Sequence, residues 1–239
     1  MKAMIFAAGL GTRLKPWTDH HPKALAMVNG KSLLQRNILY LQEYGITDVV
    51  VNVHHFADQI IEAIEQNRGW GSAVTISDET DKVLETGGGL KKAAPLFAGE
   101  ENIVILNADI LTNLQLDQMI LQHRKTNALV TLAVSQRESS RYFLFGSDSK
   151  LKGWTNSTTG EVKPEGLHTE GLFKRAFSGL HVVQTELFQK INRDGKFSMV
   201  DIYLDLCAKE DIYAFDHTGA LLLDVGKPES LVKAASLFD

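Results

Sequence analysis

The chain has 239 residues, 44% of them hydrophobic and 23% charged, with a formal net charge of −4. That length suits one large α/β domain whose core needs no staples, and the charge has the wrong sign for a duplex nucleic-acid partner. The single cysteine, Cys207, can form no internal disulfide, and no apolar run approaches the roughly 20 residues that span a bilayer. The apolar stretch 1–10 runs straight into a glycine loop and reads as a first strand, not a targeting segment. A cytoplasmic chain with no membrane or nucleic-acid partner is the expectation.

In chain order, the apolar run 3–7 stops at Gly9 and predicts a buried strand feeding a loop. Ser32 can cap a helix in which Leu34, Ile38 and Leu41 recur at helical spacing, with Gly45 ending it. Residues 49–53 are apolar and β-branched and predict a strand; 57–66 predict a helix with Ile60, Ile61 and Ile64 on one side. Further strands are expected at 73–76, 103–106 and 129–134, with helices at 88–96 and 116–123. Strand and helix thus alternate to about residue 134, the pattern of a mostly parallel sheet flanked by helices. Beyond it, the short segments 142–145, 151–154, 161–163 and 176–183 predict a mixed or antiparallel extension, with a hairpin tip at 155–160. A helix at 199–208, strands at 212–215 and 221–225, and a closing helix at 228–237 with Pro228 in its first turn complete the chain.

The most informative segment is Ala7-Ala8-Gly9-Leu10-Gly11-Thr12-Arg13-Leu14-Lys15-Pro16, continuing through Thr18 to Pro22-Lys23-Ala24-Leu25. Glycines after a buried strand let backbone N–H groups approach an anion. Arg13 adds a planar fork suited to phosphate oxygens, and Lys23 adds a point charge. Two glycines alone fit a plain turn equally well; the whole run reads as a triphosphate cradle. A dinucleotide fingerprint would need glycine where Leu14 stands, and the P-loop pattern G-x-x-x-x-G-K-S/T is absent. The segment resembles the signature of the sugar-phosphate nucleotidyltransferases, A-A-G-x-G-S/T-R-L/M-x-P-x-T-x-x-x-P-K-x-L, at every fixed position from Ala7 to Leu25. The resemblance implies a GT-A-like Rossmann-type domain and Mg²⁺-dependent transfer of a nucleotidyl group from a nucleoside triphosphate to a sugar 1-phosphate. It implies that Gly9, Gly11, Thr12 and Arg13 hold the triphosphate and that Lys23 supports its α-phosphate.

Asp109, closing Asn107-Ala108-Asp109, and Asp224, in Leu223-Asp224-Val225-Gly226, each end an apolar run. Carboxylates at strand ends of an α/β sheet lie where ligands bind, and two of them suffice for Mg²⁺ beside phosphate oxygens. Taken singly, such an Asp more often caps a loop. The segments resemble the family's G-D and D-V-G-T-P-E motifs, with Lys227 for Thr, which implies that Asp109 and Asp224 are metal ligands and that Arg13, Lys23 and Asp109 are catalytic.

The run Glu85-Thr86-Gly87-Gly88-Gly89-Leu90 could be a plain entry to a helix or could bring backbone flat against a nucleobase. It resembles the N-acetylmuramate 1-phosphate uridylyltransferase branch, as does Phe177-Ser178-Gly179-Leu180-His181-Val182. That likeness implies UTP, with Thr86, Gly87, Gly88 and Asn107 at the nucleotide and Gly179 and Asn156 at the sugar. One domain, 1–239, is expected, its half 1–134 holding the nucleotide and its half 135–239 the sugar phosphate. A guanylyltransferase, a non-catalytic nucleotide-sugar sensor and a nicotinamide dehydrogenase are the alternatives, the last disfavoured by Leu14. His54-His55 lacks acidic or thiol partners at ligand spacing and reads as a solvated or capping pair. Cys207 and the hairpin aromatics Tyr142 and Trp154 read as packing, and Asp201 and Asp205, four apart on one helix face with no Lys or Arg paired to them, as solvated.

Overall fold

The structure, a computed structural model, describes residues 1–238. Four strands, β1 (Lys2–Phe6), β4 (Asp48–Val53), β5 (Ala73–Asp78) and β6 (Asn102–Asn107), lie parallel in the order β5-β4-β1-β6. β1 is at the centre, and Ala3, Met4 and Ile5 have no exposed surface. Its side chains alternate between the two faces. Ala3 and Ile5 join the layer holding Leu34, Ile38 and Leu41 of α1 (Leu33–Glu43), Ile60 of α2 (Ala57–Gln66) and Met119 of α4 (Leu116–Thr126). Met4 and Phe6 join the opposite layer, with Leu90 of α3 (Glu85–Ala93) and Ile202 and Tyr203 of α6 (Met199–Leu206). Ser32 caps α1 as expected, its hydroxyl accepting from the Gln35 N–H at 3.1 Å.

The mixed extension begins one strand earlier than the pattern indicates. β8 (Val130–Ser135) does not continue the parallel run: it lies antiparallel to β12 (Phe173–Gln184), which inserts between it and β6. β8 is buried along its whole length, and a fully buried apolar strand carries no sign of its direction. β13 (Ile212–Asp216) then adds parallel to β8. The outer end of β12 continues into an antiparallel meander of β9 (Arg141–Phe145), β10 (Leu151–Asn156) and β11 (Val162–Lys163), so the ten strands form one sheet. β14 (Leu222–Asp224) also departs from expectation: it pairs only with β7 (Ile110–Thr112), as a two-stranded ribbon beside the main sheet. β2 (Met27–Val28) and β3 (Lys31–Ser32) form a second small ribbon, and α5 (Leu187–Lys190) and α7 (Pro228–Leu237) complete the elements.

The helix expected at 88–96 starts at Glu85, so the three glycines lie inside α3. Asp205 is not merely solvated: Arg193, in the loop before α6, reaches it with Nη2···Oδ1 2.8 Å. Asp201 closes a capping box with Ser198. Both partners precede α6, where helical spacing does not look. Cys207 is half-buried against the apolar layer, as read. Among the described residues, no helix is long and apolar enough to cross a membrane.

Candidate active site

The loop after β1 is shaped by its own signature residues. Gly11 takes φ +63°, and a Cβ there would stand 3.0 Å from both Lys23 Cβ and Thr18 Cγ2. Thr18 is buried and donates to the Gly11 carbonyl at 2.9 Å. These two residues fold the loop back over Lys23. Gly9 differs: nothing lies within 4 Å of where its Cβ would be, so its bare face borders open space.

The loop is anchored by residues that the sequence reading passed over. The Ala7 N–H donates to Asn52 Oδ1 at 2.7 Å, and Asn52 Nδ2 donates to Glu79 Oε1 at 2.8 Å. Accepting from a backbone N–H fixes the Asn52 amide, so its NH₂ must face Glu79. Glu79 is 1% exposed, and burial pushes its carboxyl above the usual range despite the bond from Asn52. The only signal in the sequence is a lone polar residue, Asn52, in the apolar run 49–53.

Asp109 and Asp224 come together through the small ribbon. Asp224 stands opposite Ile110 in the β7–β14 register, and the Val225 N–H donates to the Asp109 carbonyl at 2.8 Å. Both carboxylates converge on one point, because the Lys23 ammonium pairs with Asp109 and stands 4.0 Å from Asp224 Oδ1. Arg13 Nη2 lies 3.6 Å from Asp224 Oδ2. Gly226 makes room for this approach: a Cβ there would lie 2.8 Å from Arg13 Nη2 and 2.7 Å from Asp224 Oδ1. The donor set, two hard oxygen ligands reachable from one point, fits a magnesium ion that keeps further sites for phosphate and water. Among the described residues there is no group of three or more His, Cys, Asp or Glu placed to hold a metal.

Two adjoining cavities open beside this cluster. One, about 200 Å³, is lined by Gly9, Lys23, Thr86, Asn107 and Asp109 among others. The other, about 480 Å³, borders Gly9, Gly11, Thr12, Asn52, Glu79 and Thr86. Gly179, at φ +74° in a β12 bulge, backs the first: a Cβ there would stand 2.9 Å from Asn107 Nδ2.

Four expected ligand contacts have protein partners, the first being Thr86, whose hydroxyl accepts from the Met199 N–H at 3.0 Å. The N–H groups of Gly87 and Gly88 both donate to the Phe197 carbonyl, at 2.9 and 3.2 Å. A Cβ at Gly87 would lie 2.5 Å from the Phe197 ring, and one at Gly88 would lie 2.2 Å from the Gly195 carbonyl oxygen. These glycines let α3 pack on segment 195–198, and of the run only Glu85 and Thr86 line the cavities. Asn156 accepts from the Thr158 and Thr159 N–H groups and so closes the β10–β11 hairpin. His54 Nδ1 bonds the Glu79 carbonyl at 2.6 Å and the exposed His55 packs on Phe56 at 4.0 Å; neither ring caps α2, whose N-cap is Phe56.

Known proteins carry the same plan. The sequence profile of the nucleotidyl transferase family matches residues 2–238. The chain is similar to the N-acetylmuramate alpha-1-phosphate uridylyltransferase of Caulobacter vibrioides, 32% identical and covering 97% of this chain and 94% of the relative. It is similar also to the D-glycero-alpha-D-manno-heptose 1-phosphate guanylyltransferase of Aneurinibacillus thermoaerophilus, 30% identical over 98% of this chain and 96% of the relative. In fold it resembles HddC from Yersinia pseudotuberculosis, solved with GMP-PN, with a TM-score of 0.78, 23% identity, and coverage of 100% of this chain and 99% of the other. A glycine loop with its lysine and arginine meeting two strand-end carboxylates, in a chain matched from end to end, leaves one assignment: this chain belongs to the nucleotidyl transferase family and is a sugar 1-phosphate nucleotidyltransferase.

Proposed function

We propose that this enzyme transfers uridylyl from UTP to a sugar 1-phosphate, with N-acetylmuramate 1-phosphate as the first candidate, and releases pyrophosphate. The observation that carries the reaction is the convergence of Lys23, Arg13, Asp109 and Asp224 beside the open face of Gly9. The choice of UTP and of the sugar draws support from the uridylyltransferase relatives of Caulobacter and Neisseria, which align over almost the whole chain.

In this reading the sugar phosphate oxygen attacks the α-phosphorus in line and pyrophosphate leaves. The nucleophile is an anion at neutral pH, so no side chain need remove a proton. The work of the protein is positioning and charge neutralisation. The loop backbone at Gly9, Gly11 and Thr12 cradles the triphosphate, Arg13 takes its outer oxygens, and Lys23 meets the α-phosphoryl oxygen where charge develops. Asp109 and Asp224 would hold Mg²⁺, which supplies further neutralisation of the phosphate oxygens when bound. Asn107 and Thr86 border the nucleotide, and Gly179 keeps Asn107 in place from the side of the sugar. Residues 1–134 hold the nucleotide and 135–239 the sugar phosphate, Asp224 crossing between them. A cytoplasmic location, where nucleoside triphosphates are made, goes with this chemistry.

The second reading, a guanylyltransferase for a heptose or mannose 1-phosphate, is favoured by the Aneurinibacillus relative at nearly the same identity. Retention of Lys23 and both aspartates weighs against a non-catalytic sensor. Pyrophosphate release from UTP, GTP, CTP, ATP and dTTP, each with a panel of sugar 1-phosphates, decides among them. The proposal expects UTP with N-acetylmuramate 1-phosphate to give the highest kcat/KM. A clear preference for GTP would replace uridylyl with guanylyl, and no release with any pair would favour the sensor.

A further inference from the structure

The point on which Asp109 and Asp224 converge has an occupant, the Lys23 ammonium. With Arg13 beside Asp224, the cluster holds two carboxylates and two cations, so its formal charge is zero before any ligand arrives. Lys23 is the least free of the four: its side chain is 12% exposed, against 46% for Asp224 and 58% for Arg13. An ammonium held that far from water needs its carboxylate partner. A divalent cation arriving alone would take both carboxylates and leave Lys23 and Arg13 unpaired beside it, all of like charge. A triphosphate changes the balance. It brings several negative charges into the space beside Gly9 and gives both side chains new partners as they leave the aspartates.

We infer that Lys23 is the resident cation of the metal position and gives it up only when a triphosphate arrives, so that the divalent ion binds with the nucleotide and not before it. This rests on the function proposed above. Nucleotide and metal then bind with positive coupling, and Lys23 carries most of it, because Lys23 is the group that must exchange one anion for another. The role is separate from any help the same ammonium gives at the α-phosphate. It acts on the free enzyme and is visible with no reaction taking place.

The test uses Mn²⁺ as the probe, with free ion read by electron paramagnetic resonance and the Mn²⁺ held by the free analogue subtracted from a protein-free titration. The proteins are the wild type and Lys23→Met, each alone and with the α,β-imido analogue of an accepted triphosphate. Without nucleotide, Lys23→Met should bind Mn²⁺ at least ~10-fold more tightly than the wild type. The analogue should tighten Mn²⁺ binding to the wild type by ~10-fold or more, and to the variant much less. Adding Asp109→Asn to Lys23→Met should abolish the gain. Equal Mn²⁺ affinity of wild type and Lys23→Met without nucleotide would overturn the inference while leaving the transferase reading intact. Absence of Mn²⁺ binding in every protein beyond that of the analogue alone would remove the aspartates from the metal and the inference with them. Normal coupling in a protein that releases no pyrophosphate would sink the transferase reading alone. If Lys23→Met does not fold, the exposed Arg13→Gln should shift Mn²⁺ affinity the same way by about two- to threefold, and no shift there counts against the inference equally.

Discussion

Gly88 and Gly9 are both glycines of recognisable motifs, and alanine should act on them in opposite ways. At Gly88 the new methyl would lie 2.2 Å from the Gly195 carbonyl oxygen and 3.0 Å from Leu84 Cβ. The first obstacle is backbone, which no rotamer change can move. Relief requires α3 and segment 195–198 to separate by about 1 Å, in a core packed too closely to absorb it. The bonds that Gly87 and Gly88 donate to Phe197 lengthen or break, at about 1 kcal/mol each. Overpacking strain adds about 1–2 kcal/mol, and the better helix propensity of alanine returns about 1 kcal/mol. The net loss is about 2–3 kcal/mol, a fall in Tm of roughly 5–10 °C for a chain of this size. At Gly9 nothing lies within 4 Å, so alanine should leave stability within about 0.5 kcal/mol. Its methyl instead projects into the space where the triphosphate must approach, and kcat/KM should fall by ~10-fold or more. Thermal unfolding by circular dichroism and pyrophosphate release, run on both variants, separate the two effects. A Gly88→Ala protein as stable as the wild type, or a Gly9→Ala protein that loses stability instead of activity, would refute the division of roles.

Lys23→Ala should lower turnover by about 10²-fold or more with saturating substrates, as expected for a preorganised charge; turnover like that of the wild type would remove Lys23 from the chemistry. Asp224→Asn should raise the Mg²⁺ concentration needed for half-maximal activity by about tenfold or more, because one of two charged ligands is lost, and an unchanged Mg²⁺ titration would count against it. Gly179→Ala places a side chain at φ +74° and 2.9 Å from Asn107 Nδ2; it should cost about 1 kcal/mol or more in urea unfolding and weaken substrate binding, where a neutral outcome would show that Asn107 can yield. Two buried histidines predict an acid-sensitive fold. Burial lowers His123 from 6.5 to about 4 and His181 from 6.5 to about 3. Below pH 6.5 the unfolded chain takes up protons that the folded one refuses, so the stability present above that pH is lost as pH falls. The loss is about 1.4 kcal/mol per pH unit for each histidine until the folded values are reached. Urea midpoints that do not fall between about pH 7 and about pH 5 would show that these rings protonate in place.

What the sequence determined by itself lies within a few residues along the chain. The apolar run of β1, the cap at Ser32, the helical spacing of Leu34, Ile38 and Leu41, and the proline opening α7 are all short-range patterns, and the structure keeps them. The signature from Ala7 to Leu25 identified the chemistry because loop, arginine and lysine lie in one continuous stretch, and the end-to-end family match agrees. Only the tertiary structure could decide what depends on partners far away in the chain. β8 is as apolar in an antiparallel pairing as in a parallel one, so its direction was set by where β12 inserts. β14 found its partner in β7, more than a hundred residues earlier, and that pairing brings Asp224 to Asp109. Three glycines in a row look the same whether a ligand or the protein fills the space above them; here Phe197 fills it at Gly87, Gly195 at Gly88, and Glu79 with Asn52 at Gly89. Asn52 and Glu79 gave almost no local sign because their importance lies in the Ala7 N–H that they hold across two neighbouring strands. Periodicity and caps are written in spacings of two to four residues, while register, burial of a polar pair and close backbone approach exist only once the strands have met.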